Sequence, residues 1–406
     1  VRTPTLDPAE FLGAQAIQDP YPLYKRLRER APVHRIGESH FYAVVGRDAV
    51  GEAIDRPGDF SSNLTALITY TPETGLVSYP MDRVGGATQV LATADDPAHA
   101  VHRKLLVPQL AAKRVRATEA FIVDTFDGLW ERGLRGGRIE WMGALADRLP
   151  MMIVLRLIGA PEDDAERLIE WAYVTTQLLD GLRTADQMAV SARAAAEMSA
   201  YILDLLRSTP AAAAGASLAG ELAAAIADGR IDEPTALPMM LTLFSAAGES
   251  TAALLGSAMS ILATVPGLQR RLRERPELLT PFIEETLRFE SPFRGHYRHV
   301  LADTELGGIR LPAGGRLLLL WGAANHDPEH FDRADEFRLD RADTKGHLTF
   351  GRGAHFCVGA ALARLEAATV LAKVLERTSW IEAAEVGPWL PSILVRRRAH
   401  LQLTVR

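Results

Sequence analysis

Apolar residues recur every three to four positions along most of the chain, a period that predicts a mainly helical protein. The pattern predicts amphipathic helices over 21–30, 47–54, 98–110, 114–132, 142–158, 162–179 and 184–207, and later near 266–273, 281–289 and 359–377. A brief alternation at 41–45 predicts a strand, with a small β region over 298–321 whose turns fall at Gly307–Gly308 and at Ala313 to Gly315. Residues 61–95 follow neither period and are rich in Thr, Gly, Pro and Tyr, so a long functional loop is expected there. The alanine run 211–216 is read as a solvated connection, and 327–343 as irregular.

One stretch is apolar nearly all round. Between Glu233 and Arg270 the sole charge is Glu249. Length alone allows a membrane span, which takes about 20 apolar residues. An acid at mid-span costs roughly 2.5–3.5 kcal/mol on insertion scales, and no second span accompanies it. The stretch is expected to be a helix buried on every side of a large core, with no membrane span. With no internal repeat and no linker, residues 1–406 are expected to form a single domain.

Composition narrows the partners. A net charge of -6 gives no reason to expect nucleic acid or an anionic membrane. The single cysteine excludes an internal disulfide and fits a reducing cytoplasm. Residues 1–10 hold no apolar run, so no signal peptide is expected.

Candidate chemistry gathers around that cysteine, in FGRGAHFCVG at 350–359. A following helix offers amides and a dipole that stabilise a thiolate. Gly351 and Gly359 let backbone approach a flat ligand, His355 can donate to an anionic group, and Phe350 can cover the sulfur. Chance alone, at this chain's composition, sets Phe, Gly, His and Gly at these offsets with a probability on the order of 5 in a million. Zinc is a poor fit, because no second cysteine and no spaced histidine pair accompany Cys357. A nucleophilic Cys357 with His355 as base is the other reading of the same residues.

This loop resembles the haem-binding loop of the cytochrome P-450 superfamily, Phe-x-x-Gly-x-His/Arg-x-Cys-x-Gly, at every fixed position. The resemblance implies that Cys357 is the iron ligand of haem b, in a mainly α fold with a large helical domain and a small β-rich region around the buried haem. Further segments resemble the family in order. DDPAHAVHR at 95–103 is similar to the helix whose His99 and Arg103 would bind one propionate. Glu285 and Arg288 match its Glu-x-x-Arg signature, with Arg341 expected to join them, and Arg298 stands where a strand arginine would bind the second propionate.

AAGEST at 246–251 resembles the oxygen-activation motif of the family, with Ala246 beside the haem and Glu249, Ser250 and Thr251 as the proton relay. The sequence departs from that motif in having Ser250 for the usual Thr and Ala247 for the usual Gly. Serine keeps the hydroxyl but lacks the methyl that fixes its rotamer. Glu249 with Ser250 is the preferred pair, since Thr251 points about 100° away on a regular helix.

The implied reaction is monooxygenation by O2 of a small or medium-sized, largely apolar molecule. Without a flavin or Rossmann segment, electrons would come from a separate ferredoxin or flavodoxin-type protein and its reductase. Arg103, Arg352 and Arg364 could attract an acidic donor where exposed. The alternatives are a peroxide-driven peroxygenase and a non-catalytic haem sensor; an intact acid–alcohol pair speaks against both. The pocket is expected to be lined by 61–95, 175–182, Leu243, Ala246, Ala247, 293–295 and 392–394. Arg294 and His296 could meet an acidic substrate group, the haem propionates or solvent.

Overall fold

The computed structural model describes residues 3–84 and 88–406. Its centre is the apolar stretch, an unbroken helical rod from Glu233 to Thr264 whose most apolar 18-residue window is 71% buried, so that it belongs to the protein core. It starts at Asp232, whose carboxylate caps the Thr235 amide, and carries Pro238 inside its first segment. Phe244–Glu249 forms a π-helical turn between α-helical Glu233–Leu243 and Ser250–Thr264. Such a turn leaves a carbonyl without its usual partner four residues on, and π-turns concentrate at functional sites. Here the freed Ala246 carbonyl accepts the Ser250 hydroxyl at 2.5 Å.

The other helices wrap this rod. Leu149–Ile158 packs along it, and the Trp141 indole N–H donates to the Leu255 carbonyl at 3.1 Å. Leu279–Phe289 and Ala360–Arg377 also pack on it, and Glu119–Gly133 packs outside them, against Ala360–Arg377 and Leu149–Ile158. The bundle sits beside a six-stranded sheet ordered Thr5–Leu6, Val33–Ile36, Phe41–Val44, Arg316–Leu320, Gly295–Val300 and Phe60–Ser61. A second sheet joins Ile381–Val386, Leu401–Val405 and Arg138–Glu140.

Three expectations are corrected. Region 61–95 is not a plain loop: Ala66–Thr71 and Gly75–Pro80 pair as an antiparallel hairpin, while residues 85–87 of that region lie outside those described. Its Thr- and Pro-rich turn hides the alternation of the two flanking strands. The helix over 142–158 is two pieces, a π-turn at Met142–Ala146 and a helix at Leu149–Ile158 that opens with Pro150, whose missing N–H suits a helix start. The helix over 114–132 is likewise divided, into Ala112–Ala117 and Glu119–Gly133. Leu218–Ala227 is a further helix, N-capped by Ser217, that the periodicity reading passed over.

The signature pair is buried as expected. Arg288 donates to both Glu285 oxygens at 2.8 Å, and the Arg341 Nε adds contacts at 2.9 and 3.0 Å. Arg288 also satisfies the carbonyls of Asn325 and Ala334 at 2.8 Å, tying the helix Leu279–Phe289 to the segment leading into the cysteine loop. A buried carboxylate needs this many donors, and losing one partner would leave an uncompensated charge.

Candidate functional site

A large cavity lies between the central rod and the cysteine loop. One wall is the loop itself. The Cys357 amide donates to the Phe350 carbonyl at 2.9 Å, which closes the loop, and Gly351 and Gly353 turn it with φ of +65° and +67°. The helix Ala360–Arg377 starts directly after Gly359. Burial pushes the Cys357 thiol up, while the amides of Gly359 and Ala360 and the cations Arg103 and Arg364 pull it back toward the thiolate. The Phe350 ring lines the cavity beside Cys357, and the Arg364 guanidinium lies 4.5 Å from its centroid.

The opposite wall is the π-turn and the helix after it. Ala246, Ala247, Ser250 and Thr251 all face the cavity. Gly248 does not: a Cβ there would come within 2.3 Å of Met151, so this glycine serves packing against Leu149–Ile158. Glu249 also lies outside the lining. It is buried, faces Arg397, Tyr173, Thr176, Asp147 and Asp180, and burial raises its carboxyl to about 7. The structure therefore brings both hydroxyls to the cavity and sets the acid behind them.

The rim collects donors with too few acceptors. His99 and His355 stack with centroids 4.0 Å apart, and burial lowers both, His355 to about 4. The His355 Nδ1 is buried without a partner, while its Nε2 lies 3.1 Å from the Ser62 hydroxyl. Arg298 is 8% exposed and donates to the Tyr297 carbonyl at 2.8 Å, with no carboxylate at ion-pair distance among the described residues. Arg103 donates to the Phe356 carbonyl at 3.0 Å. A buried guanidinium without an anion is costly, so this rim is built for a ligand that brings carboxylates. A flat group with a soft-metal centre over a cysteine sulfur and two acidic arms fits these residues.

Several expected pocket positions fall elsewhere. Of 61–95 only Leu91 and Ala92 line the cavity among the described residues, and 175–182 and 392–394 do not. Those segments meet one another instead: the Tyr70 amide donates to the Gly181 carbonyl at 2.8 Å, and the Ile393 amide to Asp180 at 2.9 Å. Gly181 is required there, with φ +72° and the Ile68 carbonyl 2.5 Å from where a Cβ would stand. Arg294 points away from the cavity to the Ile17 carbonyl and Tyr24. His296 does line it, as a neutral ring that burial lowers to about 4. Arg352 pairs with Asp55 and stays 45% exposed, whereas Arg364 is committed to Glu284 at 2.6 Å.

The sequence reading passed over Arg397, Asp147, Trp321 and Glu366. Arg397 had a visible signal, three consecutive arginines at 396–398 beside an apolar strand. Glu366, nine residues after the cysteine, lines the cavity with one carboxyl oxygen unpartnered, and burial alone raises it well above the carboxylate range.

Comparison with known proteins agrees with this geometry. The family model described as cytochrome P450 matches residues 226–404. The chain is 60% identical over 400 residues to cytochrome P450 144 of Mycobacterium tuberculosis, covering 98% of this chain and 92% of the relative. It is 31% identical to the cytochrome P450 monooxygenase PikC of Streptomyces venezuelae, covering 95% of this chain and 91% of the relative. Among solved structures, cytochrome P450 CYP109Q5 from Chondromyces apiculatus superposes with a TM-score of 0.84 at 27% identity, over 99% of this chain and 98% of that one.

Proposed function

The chain belongs to the cytochrome P450 family of haem b monooxygenases, and on that premise we propose which of its residues carry the chemistry. Cys357 ligates the iron, and residues 1–406 act as one domain around it. His99, Arg103, Arg298 and His355 hold the haem carboxylates; the unpartnered His355 Nδ1 and the unpaired Arg298 support this. Gly351, Gly359 and Ala246 let backbone and helix come close to the ring plane, and Phe350 keeps water from the sulfur. Haem in this position supplies O2 activation and transfer of one oxygen atom to substrate.

The polypeptide supplies protons and shape. Glu249 stores a proton near neutral pH, and Ser250 passes it toward the cavity. At rest its hydroxyl donates to the Ala246 carbonyl and its lone pairs are free to accept; to relay, the O–H turns off that carbonyl and gives its proton to the cavity as the oxygen accepts one from Glu249. Thr251 is the second hydroxyl on that wall. A positioned proton donor contributes ~10²–10⁴ in rate. The substrate side, with Leu243, Ala247, Leu254, Phe293 and Trp321, is apolar and suits a small or medium-sized, largely apolar molecule.

Electrons come from a separate ferredoxin or flavodoxin-type protein with its reductase. The observation that carries the reading is the placement of the sole cysteine and the hydroxyl pair on facing walls of one cavity. The test is turnover of a panel of apolar compounds with a ferredoxin, its reductase and isotopically labelled O2. One labelled oxygen atom per product supports the reading. Label arriving only from added peroxide would favour a peroxygenase, and haem binding without turnover a sensor.

A further inference from the structure

Three arginines in a row occupy the loop between Ile381–Val386 and Leu401–Val405, and each has a different task. Arg396 pairs with Glu290, and Arg398 lies 3.7 Å from the Trp389 ring centroid and donates to the Gly387 carbonyl. Arg397 turns inward, with 11% of its side chain exposed. Its Nη1 donates to Asp147 at 2.7 Å, and its guanidinium lies 4.5 Å from the Tyr173 ring centroid. Its Nε is buried with no hydrogen-bond partner and stands 3.7 Å from a Glu249 oxygen.

One buried cation therefore faces two carboxylates, Glu249 buried and Asp147 partly so. If both were ionised, the group would carry a net negative charge largely away from water, which is expensive. Among the described residues, the neighbours bring no second free cation. Tyr173 donates its hydroxyl to the Asp147 backbone carbonyl at 2.8 Å, Arg148 is paired with Glu166, Asp180 is paired with Arg183 at 2.9 Å, and only the Thr176 hydroxyl eases the charge on Glu249. The hydrogen bond from Arg397 goes to Asp147, so Glu249 is the carboxyl left to hold a proton.

We propose that Arg397 and Asp147 are positioning residues for Glu249: Asp147 holds the guanidinium back so that Glu249 keeps its proton at rest, and Arg397 receives Glu249 as a carboxylate after it has given that proton. This rests on the reading of Glu249 as the relay acid. When the proton leaves for the Ser250 hydroxyl and water at the cavity, the free Arg397 Nε–H closes the 3.7 Å gap and binds the new carboxylate. Water then returns a proton to Glu249, the Nε bond opens, and Asp147 retains its own bond throughout. The elevated Glu249 carboxyl, opposed chiefly by Arg397, agrees with this arrangement.

The test is an infrared pH titration of the haem-loaded ferric protein, following the carboxyl band that Glu249→Gln abolishes. Asp147→Asn should lower the Glu249 midpoint by roughly one to three pH units, because Arg397 is then free to serve it alone. Arg397→Gln should raise the midpoint, and Arg397→Lys should restore part of the difference. An unchanged midpoint in Asp147→Asn, with a thiolate-type carbon monoxide spectrum retained, would overturn the proposal, and that variant suffices should Arg397→Gln not fold. Peroxide released per electron pair separates the two readings. Shifted midpoints with peroxide release equal to wild type in Glu249→Gln would uphold the pairing and refute the relay.

Discussion

The Trp321 indole N–H donates to His296 Nδ1 at 2.7 Å, inside the cavity wall. That bond fixes the histidine as the tautomer with its proton on Nε2. Burial, Arg298 and His355 all lower the ring, so it remains a neutral donor across physiological pH. Trp321→Phe would leave Nδ1 buried without its partner, at a cost of about 1–3 kcal/mol. We expect a lower midpoint in urea, with His296→Phe in the Trp321→Phe background restoring part of it. A midpoint equal to wild type would show that the bond contributes nothing.

Arg298 should behave oppositely with and without haem. In the haem-free protein it is a buried cation without a carboxylate, so Arg298→Met should be neutral or stabilising in chemical denaturation. In the loaded protein the same change removes a charge-assisted bond, and haem should dissociate roughly tenfold to a hundredfold faster. Equal haem loss from both proteins would refute the carboxylate role.

Glu249 carries a pH signature with a defined sign. Its folded carboxyl titrates at about 7 against an ordinary 4.5, so its contribution to stability is present below the lower value and lost as pH rises through the upper one. Glu249→Gln should therefore gain on wild type between those values, by on the order of 3 kcal/mol at most. Denaturation curves collected across that window check this; parallel stability profiles would contradict it. Turnover of the same variant should fall by ~10²–10⁴.

The two cavity hydroxyls can be told apart by substitution. Ser250 follows the acid directly and is anchored on the freed carbonyl of the π-turn. Ser250→Ala should divert electrons to peroxide, and Ser250→Thr should reduce that loss by fixing the rotamer. Thr251→Val should change the peroxide yield less. The reverse order, measured as peroxide per electron pair, would transfer the relay role to Thr251.

What could be read from the sequence was what lies close together along it. Residues Phe350 to Gly359 are contiguous, so the loop chemistry was visible in the chain, and His99 and Arg103 share one helix face by spacing alone. The buried rod was legible because one charge interrupts a long apolar run. The Arg397–Glu249 contact was not, because almost 150 residues separate them and a run of arginines ordinarily marks a solvated surface. The π-turn has no composition signal, and the hairpin Ala66–Thr71 with Gly75–Pro80 was masked by the polar residues of its strands and turn. The pocket lining was least legible, because which segments reach the cavity depends on tertiary packing.

The most direct test of the central claim is the absorption spectrum of the dithionite-reduced protein under carbon monoxide, for wild type and for Cys357→Ala. The account predicts the long-wavelength Soret band of thiolate ligation in wild type and its loss in the variant. A wild-type protein that binds no haem, or the same band surviving in Cys357→Ala, would contradict it.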